Sequence, residues 1–92
     1  MQELIKKLEK LYEKPISEFD INDWFSILLN EDLSEDFIRE FQTELDWYYI
    51  SMCQKLSEDF IKEFQDKVNW ESISICQELS EDFIKEFKER LS

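Results

Sequence analysis

The stretch LSEDFIKEFQDKVNWESISICQE, from Leu56 to Glu78, decides the fold because the chain contains it more than once. Its opening, LSEDFI, also occurs at Leu33 and at Leu79, so the spacing is 23 residues each time. The preceding copy reads LSEDFIREFQTELDWYYISMCQK, and the following one breaks off as LSEDFIKEFKERLS. A fixed internal period of this length is typical of stacked supersecondary units.

Each copy is predicted to form two short helices, the first of about 11 residues and the second of about 8. Apolar residues recur at helical spacing in the first helix, as at Phe37, Ile38, Phe41 and Leu45, which predicts one buried face. A short polar side chain that can accept from an orphan backbone N–H is expected to begin each helix. These expected N-caps are Ser34, Ser57 and Ser80 for the first helix and Asp23, Asp46 and Asn69 for the second.

The second helix carries apolar residues around much of its circumference, which is typical of a helix between two neighbours. Its tryptophan, as at Trp47 and Trp70, is expected to anchor adjacent units. Leu29, Met52 and Ile75 lie on another side of the same helix and are expected to be buried as well. Cys53 and Cys76 are predicted to be free thiols in the core, too far apart for a disulfide.

These patterns predict an all-α single domain, a stack of short helical hairpins with a 23-residue repeat and an N-terminal capping helix. The absence of Gly favours helices over β-hairpins, whose tight turns need it. The predicted division is a capping helix over 1–14, a connection over 15–22, a half repeat over 23–32, repeats over 33–55 and 56–78, and a truncated repeat over 79–92.

The composition argues against several classes of function. The chain has 11 basic and 23 acidic residues, and a net charge of −12 repels nucleic acid and attracts basic partners. It contains no His and no Gly, so neither a histidine-activated nucleophile nor a glycine-rich phosphate loop can form. We therefore predict a protein that is not an enzyme, requires no cofactor and does not bind nucleic acid directly.

Metal and membrane sites are not expected either. The acidic run DIND over 20–23 lacks the Gly and Glu of a calcium loop, and the two cysteines lack zinc-site spacing. A membrane-spanning helix needs about 18 consecutive apolar residues, and the sequence contains no apolar run of that length. The first residues, MQELIKKLEK, do not form a signal peptide, so a cytoplasmic location is expected.

The pattern LSEDFI–EF…W––IS–CQ–LSEDFI, within residues 23–92, resembles a class of short tandem α-helical repeats from phages, giant viruses and AT-rich bacteria. The class carries no shared activity. What the resemblance implies is a small binding protein, located in the host cytoplasm if phage-encoded. Inhibitors of host defence, including anti-CRISPR proteins, are the candidate group.

The first helices carry six carboxylates at repeated positions, which would form two columns once the units stack. They are Asp36, Glu40, Asp59, Glu63, Asp82 and Glu86. Two interpretations are open: a solvated outer face, or a surface that imitates a phosphate backbone and occupies a basic nucleic-acid channel. Arg39, Lys62 and Lys85 are expected to pair with the glutamate four residues before each of them.

Two further surfaces are candidates for partner binding. Tyr48 and Tyr49 occur in one copy only, and tyrosine is favoured at binding hot spots, although local packing explains them equally well. The last helix is expected to leave Phe83, Phe87 and Leu91 at an open end, which favours a homodimer or a partner contact there.

The functional hypothesis is therefore a non-enzymatic acidic protein that binds a partner with a basic surface. Its leading form is a phage-type inhibitor of a nucleic-acid-handling host protein such as a CRISPR effector. The alternative is a general protein-interaction or scaffolding module without mimicry.

Overall fold

The computed structural model describes residues 1–91, and this part of the chain is all helical, without strands. The predicted all-α class is thus confirmed. The elements are α1 (Gln2–Tyr12), a 3-10 turn (Ile16–Glu18), α2 (Ile21–Asn30), α3 (Glu35–Glu40), α4 (Trp47–Cys53), α5 (Glu58–Glu63), α6 (Trp70–Cys76) and α7 (Glu81–Glu86). They form a rod of 45 × 21 × 19 Å.

Side-chain caps set the starts of α3 to α7 at the residues that the sequence predicts. Ser34, Ser57 and Ser80 each accept a hydrogen bond from the backbone N–H three residues later. Asp46 caps α4 by accepting from the Tyr48 N–H, two residues later, and Asn69 caps α6 by accepting from the Ser72 N–H, three residues later. Each cap satisfies one N–H that the first turn leaves without a helical partner.

The predicted start of α2 at Asp23 is wrong. The helix begins at Ile21 and is capped by Asp20, whose side chain accepts from the Asp23 N–H at 2.9 Å. The Asp23 carboxylate accepts from the Asp20 N–H in return, again at 2.9 Å. This reciprocal capping box satisfies two orphan donors at once, which a cap at Asp23 could not do.

The first helix of each repeat is shorter than predicted, six residues instead of about 11. It ends at a phenylalanine, Phe41, Phe64 or Phe87, whose backbone leaves the helical region, with φ near −110° in each case. A turn continues the chain, and Leu45 still donates its N–H to the Phe41 carbonyl at 3.1 Å. The apolar periodicity therefore spans a helix and a turn, and Leu45 remains buried.

The second helices lie side by side along the rod, with α4 packed against both α2 and α6. The tryptophan at or near the start of each second helix packs on the phenylalanines of the first helix that follows. The ring centroids of Trp24 and Phe41 are 5.2 Å apart, and those of Trp47 and Phe64 are 5.0 Å apart. Trp70 stacks on Phe87 at 5.3 Å. Aromatic contacts thus link each unit to the next and fill much of the core.

Only one side of each second helix is buried, so the prediction of a helix enclosed on both sides is wrong. Ile50 and Ser51 are fully buried, but Met52 is 36% exposed and its counterparts Leu29 and Ile75 are 49% and 76% exposed. The second helices form a single layer, and their outer side is left uncovered. Cys53 and Cys76 lie on the surface for the same reason, although they were predicted to be in the core.

The C-terminal part also differs from the prediction. Phe83 and Phe87 are buried beneath Trp70 and are not the exposed residues of α7, and Leu91 is half-buried. The exposed apolar residue of α7 is Ile84.

The N-terminal segment packs along α2. Leu8 is fully buried, Tyr12 donates its hydroxyl proton to Ser26 Oγ at 3.1 Å, and Lys14 pairs with Asp23. Glu13 ends α1 in the left-handed conformation, a role that Gly usually takes. Across residues 1–91, none of the helices combines the length and the apolar character that a membrane crossing requires.

Candidate functional site

The repeats are joined by a side-chain clamp between consecutive first helices. Glu35 accepts both the backbone N–H and the hydroxyl proton of Ser57, at 2.7 and 3.0 Å. Glu58 does the same for Ser80, at 2.6 and 2.9 Å. These glutamates were expected to pair with Arg39 and Lys62 within their own helices, which is wrong. The serine that caps the next first helix offers two hydrogen-bond donors to one carboxylate. These two charge-assisted hydrogen bonds are more favourable than a single solvated ion pair.

A glutamine clamp joins consecutive second helices. The buried Gln54 side chain accepts from the Leu33 N–H and donates to the carbonyls of Leu28 and Glu31, all at 2.9 Å. Gln77 repeats the arrangement one unit later, with the Leu56 N–H and the carbonyls of Ser51 and Gln54. Each glutamine thus satisfies two carbonyls at the C-terminal end of the preceding second helix. This role of the glutamines was not predicted, although Gln recurs at the same place in both repeats, which was a usable signal.

The six predicted acidic residues, here called the acidic ridge, are all exposed on α3, α5 and α7. Three of them are in ion pairs. Arg39 contacts Asp36 at 2.9 Å and Glu63 at 2.8 Å, and Lys62 contacts Glu86 at 3.2 Å. Glu40, Asp59 and Asp82 have no ion-pair or hydrogen-bond partner for their side chains in residues 1–91. The ridge is therefore a row of carboxylates with cations placed between the repeats.

The strongest pair on the ridge joins Arg39 and Glu63. The Arg39 side chain donates through both Nε and NH2, and this hydrogen bonding lowers the pKa of the Glu63 carboxyl from its ordinary value. A carboxyl with a lowered pKa stabilises the fold above its ordinary pKa, and that contribution disappears as the pH falls through the lowered value. Because both side chains are well exposed, solvent limits its size.

Most of the exposed large apolar side chains gather on the outer side of the second helices, on a surface here called the apolar face. Its members recur at i, i+4 spacing along α2 and at equivalent repeat positions on α4 and α6. They are Ile21, Phe25, Leu29, Tyr48, Met52 and Ile75. With neighbouring helices about 8–10 Å apart, the face extends about 20 Å along the rod.

The apolar face ends in a small cleft between α2 and the turn before α4. Ile21, Phe25, Leu28 and Leu45 supply its apolar walls, and its volume is about 250 Å³. Small-molecule pockets usually measure about 300–1,000 Å³. The cleft therefore suits a single apolar side chain of a partner better than a free ligand.

The two predicted tyrosines differ in their roles. Tyr48 is 47% exposed on the apolar face, whereas Tyr49 is half-buried and forms a T-shaped contact with Phe25, with the ring centroids 4.6 Å apart. Tyr48 and Tyr49 also contact each other edge to face at 5.1 Å. Tyr49 thus supports Phe25 and Tyr48 from below. The structure places the tyrosines and the acidic ridge on different helices, so the eight predicted residues do not form one site.

The two thiols lie beside a cleft of about 450 Å³ at the ends of α4 and α6. Partial burial is the main cause that raises the pKa of the Cys53 thiol, which disfavours a reactive thiolate. No group of three or more metal-binding side chains occurs within residues 1–91.

No family model matches the chain, and neither a curated protein nor a solved structure shows significant similarity to it.

Proposed function

We propose that the chain is a non-enzymatic protein-binding module whose partner docks on the apolar face. The observation that carries the proposal is the six large apolar side chains left exposed on one side of three adjacent helices. Exposed apolar side chains scattered singly need no explanation, but a contiguous group is characteristic of an interaction surface. The cleft beside Phe25 supplies a pocket for an anchor residue at one end.

The charges around the apolar face define the partner further. Acidic residues border it at both ends of the second helices, including Asp32, Asp46, Glu71 and Glu78, all exposed. The exposed bases near the ends of these helices include Lys55, after α4, and Lys67, before α6. We therefore expect the partner to offer apolar side chains surrounded by lysine or arginine, for example one side of an amphipathic helix.

The first test is a glutamate substitution at the centre of the face. Met52→Glu should weaken partner binding about 10- to 100-fold, because it places a charge where the partner must exclude water. The partner is captured from the source cells with the wild-type chain, identified, purified and then measured by calorimetry. The matched control is Leu11→Glu, since Leu11 is also exposed, at 60%, but lies on α1 away from the face. Equal affinities of the two variants would exclude the apolar face as the docking site.

The second candidate function is the imitation of nucleic acid by the acidic ridge, as in an inhibitor of a host defence protein. The net charge of −12 and the carboxylates of Glu40, Asp59 and Asp82 favour it. The ion pairs of Arg39 and Lys62 count against it, since they neutralise part of the ridge. We therefore rank it below docking on the apolar face.

Charge reversal at exposed carboxylates distinguishes the two candidates, and circular dichroism checks that the variant is folded. Changing Glu40, Asp59 and Asp82 to Lys leaves the Arg39 and Lys62 pairs in place. Under mimicry, this triple variant should lose most of its affinity for the captured partner, and wild-type binding should fall steeply with salt. Under docking on the apolar face, the triple variant should keep affinity within a few-fold and change mainly the association rate. Loss of binding by the triple variant, with Met52→Glu unaffected, would reverse the ranking.

A further inference from the structure

Two interfaces between consecutive first helices use the same three positions. On α3, Glu35 clamps Ser57, Ile38 is fully buried, and Arg39 pairs with Glu63 while its guanidinium lies 5.3 Å from the Phe60 ring centroid. On α5, the equivalents are Glu58, Ile61 and Lys62, and they contact α7 in the same way. An acid, an isoleucine and a base thus form one docking side of a first helix.

The same docking side is uncovered on α7. Its members are Glu81, Ile84 and Lys85, at the same repeat positions. Ile84 is 44% exposed, whereas Ile38 and Ile61 are 0% exposed. Glu81 and Lys85 are exposed too, and neither has a side-chain partner among residues 1–91. Among the first helices α3, α5 and α7, the docking side is therefore covered on α3 and α5 and left uncovered on α7.

We propose that a second copy of the chain covers it, with α7 of one molecule antiparallel to α7 of the other. Glu81 and Lys85 are one helical turn apart and of opposite charge. A twofold axis midway between them brings Glu81 of each copy beside Lys85 of the other and packs the two Ile84 side chains together. The docking side is thus complementary to itself.

A twofold arrangement is also the one that the other end of the rod permits. There α1 and the 3-10 turn pack over α2, with Leu8 fully buried and the Phe19 ring in tilted contact with both Tyr12 and Trp24. Head-to-tail stacking of copies would need that end to be free. The isologous contact closes on itself and gives a dimer, not a filament.

The size of the contact limits its strength. The cross-section of the rod measures 21 × 19 Å, so a contact at its end buries about 400 Å² per copy. A standard interface buries about 800 Å² per partner, which is twice as much. The dimer is therefore weak, with a dissociation constant of about 10 µM to 1 mM.

Charge exchange tests the geometry. Sedimentation equilibrium on the wild-type chain should show dimers in this concentration range. Lys85→Glu and Glu81→Lys should each be monomeric, since each places like charges opposite each other across the twofold axis. An equimolar mixture of the two variants should form a heterodimer, because every contact then joins opposite charges again. Recovery on mixing requires this pairing and cannot come from a general loss of charge.

A matched pair of apolar substitutions distinguishes this contact from the apolar face. Ile84→Glu should weaken the dimer at least 10-fold, whereas Ile75→Glu, at a more exposed isoleucine of the apolar face, should not. Circular dichroism should show both variants folded, since both side chains are exposed. A wild-type chain that stays monomeric at about 1 mM, or a mixture of the charge variants that stays monomeric, would overturn the proposal. So would a dimer that Ile75→Glu abolishes and Ile84→Glu leaves unchanged.

Discussion

Replacing Phe60 with alanine is expected to lower the free energy of unfolding by about 3–5 kcal/mol, the range for removing a buried aromatic ring from a core. Phe60 is fully buried at the centre of the rod. Its ring lies 4.7 Å from that of Phe64 and 6.1 Å from that of Trp47, and the Arg39 guanidinium lies over it. The substitution therefore removes a contact within the repeat, to Phe64, and contacts to the preceding repeat, to Trp47 and Arg39. A domain of this size has a total stability of about 5–14 kcal/mol, so much of it would be lost.

Thermal unfolding followed by circular dichroism measures this effect, and a fall in melting temperature of about 15–30 °C is expected. The matched control is Phe25→Ala, the same chemical change at a ring that is 40% exposed on the apolar face. That variant should lose only about a quarter as much, since it loses less apolar burial and leaves no enclosed cavity. If both variants melted at the same temperature, Phe60 could not be at the centre of the core.

The sequence predicts those features that depend on a few neighbouring residues. The serine caps of α3, α5 and α7 follow from one polar residue before an apolar helical pattern, and they are confirmed. The start of α2 was placed wrongly because Asp20 and Asp23 are both acceptable caps. Only the reciprocal hydrogen bonds of the folded chain select Asp20.

Features that depend on how the units stack could not be predicted in the same way. A helix of seven residues with apolar side chains on two sides fits equally well between two layers or within a single layer. In the folded chain the second helices pack on the first helices on one side only, so the side with Met52 and Ile75 faces outward and provides the candidate docking surface. Tyr48 was predicted as a binding residue, whereas Leu29, Met52 and Ile75 were expected to be buried, and no role was predicted for Ile21 or Phe25.

The charged partners were also predicted wrongly, for a related reason. Spacing along one helix suggests a pair between Glu35 and Arg39, but contacts at a separation of about one repeat prevail in the folded chain. Glu35 binds Ser57, and Arg39 reaches Glu63. The 23-residue period could have raised this possibility, since any side chain that points along the stacking direction meets the next copy of the pattern.

Replacing Gln54 with leucine is expected to destabilise the fold by about 2–4 kcal/mol, although the new side chain is apolar and of similar size. The wild-type amide satisfies the Leu33 N–H and two carbonyls, those of Leu28 and Glu31. Leucine leaves these groups without a partner, and each one that is buried costs about 1–3 kcal/mol. Burial of the leucine recovers only part of this loss. The melting temperature should fall by about 10–30 °C, and the Leu33 amide should exchange with solvent much faster.

Two further variants test whether the loss of stability comes from hydrogen bonding and not from packing. Gln54→Glu keeps the shape but can only accept, so it should protect the Leu33 amide while losing both bonds to carbonyls and adding charge beside them. It should therefore destabilise at least as much as leucine. Gln77→Leu makes the same change one repeat later, where the side chain is half-buried and water can replace part of the lost bonding, so its effect should be smaller. If Gln54→Leu melted no lower than wild type, the glutamine clamp would be dispensable. The stack would then depend on its aromatic contacts and on the glutamate clamps at Ser57 and Ser80.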